Sequence, residues 1–160
     1  MGFALSNKDK AKASLERKQF SYFLNVLELV HAPSDIASRS KPEPDIFFQN
    51  RIAFELTEIC PSEVAHTNSK LLKAEGGVKI VYPTDSAARQ LNEKLNKSYK
   101  SALPIELLCF RTSRTLWPDD HILHQMRQKL TVHQNIQFRR IWYLGEGIEV
   151  LYNPGKLIGL

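Results

Sequence analysis

The chain has 160 residues, a formal net charge of +5, 42% hydrophobic residues and 24% charged residues. That length suits one domain, residues 1–160, with a real core, and the composition argues against intrinsic disorder. The apolar runs are too short for a membrane span, and Met1 to Lys12 lacks the long apolar stretch of a secretory signal, so a cytoplasmic protein with no membrane partner is expected.

Met1 to Ala13 is polar and Lys-rich, and its first residues are expected to fray. From Ser14, the residues Phe20, Phe23, Leu24, Leu27 and Val30 follow the spacing of one buried helical stripe. Ala32-Pro33-Ser34 ends that helix, because proline disfavours helical geometry in the residue before it. Asp35 to Pro42 reads as a loop. Two strands follow, about Pro44 to Phe48 and Ile52 to Cys60, joined by the hairpin loop Gln49-Asn50-Arg51, in which Asn50 accepts a positive φ. Pro61 ends the second strand. Ser62 to Lys79 is polar and ambiguous, with a turn at Gly76-Gly77, and Lys79 to Tyr82 reads as a short strand.

Thr84 or Asp85 caps a second helix running to about Lys100, with Ala88, Leu91 and Leu95 on its apolar face. Pro104 precedes a strand, Ile105 to Phe110. Asp119 or Asp120 starts a third helix that turns Ile122, Leu123, Met126 and Leu130 inward. Strands at Gln137 to Leu144 and Ile148 to Tyr152 finish the chain, connected by Gly145-Glu146-Gly147. This order predicts an α/β fold, a mixed β-sheet flanked by helices. Cys60 and Cys109 lie in apolar runs and read as buried free thiols of a reducing compartment.

The hairpin carries the chemistry. With a loop of Gln49 to Arg51, Phe48 faces Ile52 and Asp45 faces Glu55. Alternation then puts Ile46, Phe48, Ile52, Phe54 and Leu56 on one apolar face. Asp45, Phe47, Ala53, Glu55 and Thr57 share the other. Two carboxylates directly opposed across a sheet repel, and a divalent cation, a shared proton or a nearby lysine would offset that repulsion.

Pro44-Asp45, followed by Glu55-Leu56-Thr57 on the next strand, resembles the metal-binding core of the PD-(D/E)xK, or restriction-endonuclease-like, nucleases. The family's order of helix, hairpin, helix and strand matches Ser14 to Phe110. The resemblance implies a restriction-endonuclease-like mixed sheet and a Mg²⁺ (or Mn²⁺) ion held by Asp45, Glu55 and the Leu56 carbonyl. It further implies hydrolysis of phosphodiester bonds in DNA, with RNA an open alternative. Thr57 stands where the family has its lysine. Some members recruit that lysine from a neighbouring helix, and here Lys94 is the candidate, with Lys97 on the next turn. One site cuts one strand, so double-strand cleavage would call for a homodimer. In this reading Asp45, Glu55 and Lys94 are catalytic. Two other readings stand beside it: an inactive relative that binds nucleic acid or a protein, and an unrelated α/β interaction domain.

The basic balance leans toward an anionic partner, although the lysines and arginines are spread along the chain. Arg111, Arg114, Arg139 and Arg140, which flank strands, and Lys70, Lys73, Lys94, Lys97 and Lys100 around the second helix are expected to contact nucleic-acid phosphates. Trp117 could stack on bases, whereas Trp142 reads as core. Glu43 could support Asp45, and Glu58 points away from Glu55. Glu16 and Glu28 are the first helix's carboxylates. His121 and His124 lack the further ligands a zinc site needs. Gly-x-Ser-x-Gly and phosphate-loop signatures are absent.

Overall fold

The computed structural model describes residues 6–59 and 86–160. Cys60, Pro61, the Ser62–Lys79 stretch with His66, Lys70 and Lys73, the strand at Lys79–Tyr82 and the cap at Thr84 or Asp85 lie outside the described residues.

Helix α1 spans Asn7–Val26 and begins well before the predicted start at Ser14. The reason is local: Ser6 Oγ accepts from the Asp9 backbone N–H at 3.1 Å and donates to the Asp9 carboxylate at 2.7 Å. This cap satisfies an N–H that has no partner inside the helix. At the other end, Glu28 N–H donates to Asn25 O and Leu29 N–H to Leu24 O, both at 2.9 Å, with Glu28 at φ 59°. That pair of bonds is a Schellman turn. It closes the helix before Val30, which is 99% exposed rather than part of the buried stripe.

A short 3₁₀ turn, Pro33–Asp35, leads into β1, Ile36–Ser38, where the sequence suggested only loop. Strands β2 (Ile46–Phe48) and β3 (Ile52–Glu58) form the predicted hairpin, with Phe48 opposite Ile52 and Ile46 opposite Phe54. Gln49 and Asn50 both take positive φ in the loop. Helix α2 (Ser86–Asn96), β4 (Ile105–Phe110), α3 (Asp119–Val132), β5 (Ile141–Leu144) and β6 (Ile148–Tyr152) complete the described chain. Among the described residues the strands form one six-stranded sheet in chain order, β1 to β6. The first three strands are an antiparallel meander, β3, β4 and β5 run parallel, and β6 returns antiparallel. The fold is therefore α/β, a mixed sheet flanked by helices, as predicted.

Strand alternation sorts the core into two layers. Leu107 and Cys109 of β4 face α2 and α3, packing with Leu91, Leu95, Ile122 and Met126. Leu108 and Phe110 face the other way, with Phe20, Phe23 and Leu24 of α1 and the hairpin's apolar strip. Aromatic rings knit that second layer: Phe20 and Phe54 centroids are 4.8 Å apart, and Phe23 meets Trp142 edge-on at 5.1 Å. Buried Cys109 is a free thiol whose pKa burial pushes up to about 12.

Within that apolar layer sits one carboxylate. Glu106 is fully buried and takes Arg140 Nε at 2.8 Å, Arg139 Nη2 at 2.7 Å and Trp142 Nε1 at 2.7 Å. Arg140 also donates to the Gly159 carbonyl at 2.6 Å, tying the C-terminal tail to the sheet. Arg139 and Arg140, which the sequence offered as phosphate contacts, are thus engaged inside the protein.

The β5–β6 connection closes through Gly145 N–H to Gly147 O at 2.9 Å. Directly beneath it, Asp119 accepts from Tyr143 Oη at 2.8 Å, from Arg111 Nη1 at 2.5 Å and from the Glu146 N–H at 2.8 Å. Burial alone would raise the Asp119 carboxyl, but these donors outweigh it and hold the pKa below the ordinary carboxylate range. A Cβ on Gly145 would lie 2.6 Å from Asp119 Cγ, too close to tolerate. Gly145→Ala is expected to push Asp119 off its donors and cost about 1–3 kcal/mol, read as a lower urea midpoint.

Candidate functional site: an acidic pair with a helix lysine

The site grows out of the hairpin register. Continuing the β2–β3 ladder one step beyond Ile46–Phe54 places Asp45 opposite Glu55. The Asp45 side chain replaces a ladder bond: its Oδ2 accepts the Leu56 N–H at 2.9 Å. Pro44, just before Asp45, has no N–H to give. The Leu56 side chain itself is core.

Glu55 is 2% exposed although it carries a carboxylate. Lys94, from the last turn of α2, reaches it with Nζ 2.9 Å from Oε2. Thr57 is half-buried on β3, with its backbone beside Cys109 of β4. The ammonium in this site thus comes from the neighbouring helix.

Glu16 of α1 joins from the other side. It is 8% exposed, its carboxyl lies against Asp45, and its Oε2 has no hydrogen-bond partner among the described residues. Burial raises the pKa of Asp45, and Glu16 adds to it. Burial likewise raises Glu55, with Asp45 adding further, against the opposing pull of Lys94. Two acids this close do not both ionise readily.

Lysines ring the acids. The Lys97 pKa is pulled down first by the Lys94 ammonium, then by burial and by Lys41. Lys100 N–H donates to Pro42 O at 3.2 Å, which ties the end of the α2 region to the loop before β2. A groove of about 710 Å³ runs from Asp45 and Glu16 between α1 and that loop, and Lys12, Arg39 and Lys41 line it. Glu43 pairs with Arg39 at 2.7 Å on the groove wall.

The other sequence candidates lie elsewhere. Arg111 is paired with Asp119, and Arg114 with Glu58 at the end of β3. Burial alone would raise Glu58, but Arg114 and Thr112 outweigh it and hold the carboxyl below its ordinary range. Glu28 is exposed and Trp117 is buried. His121 packs edge-on to Trp117. Among the described residues no three His, Cys, Asp or Glu side chains form a ready-made metal ligand set. Mg²⁺ does not require one, since it binds through one or two carboxylates and keeps several waters.

Sequence reasoning did not single out Glu16 over Glu28, and it missed Tyr99. The signal for Glu16 was its place one helical turn before Phe20, on the apolar stripe.

No protein-family model matches the chain, and no curated protein does. A solved structure from Pseudomonas aeruginosa strain PAO1, a protein of unknown function in the monooxygenase superfamily, is 16% identical with a TM-score of 0.37. The match covers 89% of this chain and 73% of that one. A likeness that slight brings neither the activity nor the cofactor of that protein to this chain. The expectation of a DNA-hydrolysing nuclease is withdrawn: none of the comparisons supports it. Threonine at position 57 departs from the family's lysine, and the ammonium that reaches Glu55 is that of Lys94 on the neighbouring helix. Among the described residues, no helix is long and apolar enough to cross a membrane.

Proposed function

We propose that this chain binds one divalent cation, Mg²⁺ or Mn²⁺, between Asp45, Glu55 and the Leu56 carbonyl, and uses it to hold a phosphate of a nucleic acid, DNA in the first instance. The observation that carries the reading is the opposed Asp45–Glu55 pair, Glu55 buried and Asp45 half-buried, whose repulsion Lys94 relieves in part. A cation at this point would neutralise both carboxylates. It would also release Lys94 to pair with an incoming phosphate oxygen. The order helix, hairpin, helix, parallel strand is that of the metal-binding core the sequence resembles, which supports the cation and not any particular reaction. Lys41 and Lys97 beside the acids suit an anion that arrives with the metal. The buried free thiol of Cys109 suits a reducing, cytoplasmic setting.

The test is calorimetric titration of the full chain with Mg²⁺ and Mn²⁺, followed by anisotropy of a labelled DNA oligonucleotide with each cation or with EDTA. Wild type is expected to bind the cation and to bind DNA more tightly in its presence. Asp45→Ala and Glu55→Ala should lose both effects, and Lys94→Ala should lose the DNA effect alone. A folded wild type that takes up neither cation overturns the reading.

A further inference from the structure

Tyr99 lies between α2 and β4, with its ring 5.8 Å from that of Phe138. Its Oη is buried, beside the carboxylates of Glu55 and Asp45, yet among the described residues it makes no hydrogen bond of proper geometry. A buried phenol without a partner is disfavoured by about 1–3 kcal/mol, so a hydroxyl kept there needs a reason. Packing supplies none, because phenylalanine would fill the same space. A phenol is a neutral donor at physiological pH, and the acceptors beside it are the two acids of the site.

The Glu55 carboxylate already has a donor at Oε2, Lys94 at 2.9 Å. If Lys94 turns to a phosphate while the cation takes one oxygen of Glu55, that carboxylate loses this charged donor. We propose that Tyr99 Oη then takes over as the hydrogen-bond donor to Glu55, fixing the carboxylate in its cation-binding orientation while Lys94 serves the anion. Tyr99 is thus a positioning residue, acting on the metal through Glu55, as hydrogen-bonded partners of metal-binding carboxylates do. Its ring has two side-chain torsions and is held by Phe138, so the donor is delivered with little loss of freedom. The inference rests on the cation reading above and names the group that makes the exchange of Lys94 tolerable.

The experiment compares wild type and Tyr99→Phe as full chains, titrated with Mn²⁺ and Mg²⁺ by calorimetry in the presence of inorganic phosphate. Cation affinity is expected to fall about tenfold in Tyr99→Phe, with thermal stability kept or slightly raised. An ultraviolet difference spectrum on adding Mg²⁺ and phosphate to wild type should show a tyrosine hydrogen-bonding change that Tyr99→Phe lacks. This spectrum is read on wild type and so does not depend on the variant's folding. Equal affinities together with no tyrosine difference signal overturn the role of Tyr99 while leaving the cation site standing. No cation uptake by wild type overturns the site and this role with it.

Discussion

Glu106→Ala is expected to lose about 3–5 kcal/mol of stability, the range for breaking a buried ion pair from one side. The cause is what it leaves behind. Arg140, 1% exposed, would keep the Gly159 carbonyl as its remaining acceptor, and its charge would stay in the apolar layer formed by Phe23, Leu108 and Trp142. Arg139 and the Trp142 indole N–H would lose their acceptor too. A domain of this size holds only about 5–15 kcal/mol in total, so the variant would be marginal at best. Urea unfolding followed by tryptophan fluorescence measures the loss. Glu106→Gln should fall between wild type and Glu106→Ala, because its amide oxygen keeps an acceptor for Trp142, while the charge is lost and the NH₂ faces arginine donors. Replacing both partners, Glu106→Leu with Arg140→Met, should recover much of the loss, since Arg140 no longer leaves an uncompensated charge. A loss below about 1 kcal/mol for Glu106→Ala would mean the network is dispensable.

That network also shows where sequence reading runs out. Ile105-Glu106-Leu107-Leu108-Cys109-Phe110 is apolar but for one acid, and an acid buried in such a strand needs a partner. The sequence poses that requirement but does not say that the partners are Arg139 and Arg140, which lie far along the chain and come close only because β4 and β5 pair in parallel. The hairpin is the opposite case. Its register follows from strand alternation and loop length, both local, so the opposition of Asp45 and Glu55 is legible in the residue order alone. Lys94 was readable only as a lysine on the right face of a helix, and the packing of α2 against the sheet decides that it reaches Glu55. Strand β1 was missed because Ile36-Ala37-Ser38 is too short to show a period, and its pairing with β2 defines it. Tyr99 had no sequence signal, since it lies outside every regular element and meets Glu55 through tertiary packing alone.

The second large effect runs in two directions at once. Asp45→Asn should raise the stability of the cation-free protein by about 1 kcal/mol at neutral pH, the usual gain from relieving a strained functional site. Asparagine keeps an oxygen for the Leu56 N–H and offers an NH₂ toward Glu55 or Glu16, so repulsion becomes hydrogen bonding. The pH dependence fixes the sign. Burial first, then Glu16, raises Asp45 above its ordinary value, and burial, then Asp45, raises Glu55. Between the ordinary and the raised values the folded state binds more protons than the unfolded state, so stability falls as pH rises through that window. Below the ordinary carboxylate range both states are protonated and the penalty vanishes. The advantage of Asp45→Asn should therefore be largest near neutral pH and fade on acidification, seen in urea midpoints taken across pH. A gain that does not change with pH would place its origin outside this pair. Adding Mg²⁺ should invert the ranking, because the variant would bind it at least a hundredfold more weakly, about 2.8 kcal/mol. Wild type gains stability as the cation saturates it and the variant gains little, so the two stability curves should cross with rising Mg²⁺. A crossing ties the strain in the apo pair directly to cation binding, whereas parallel curves would show that the pair is strained for some other reason.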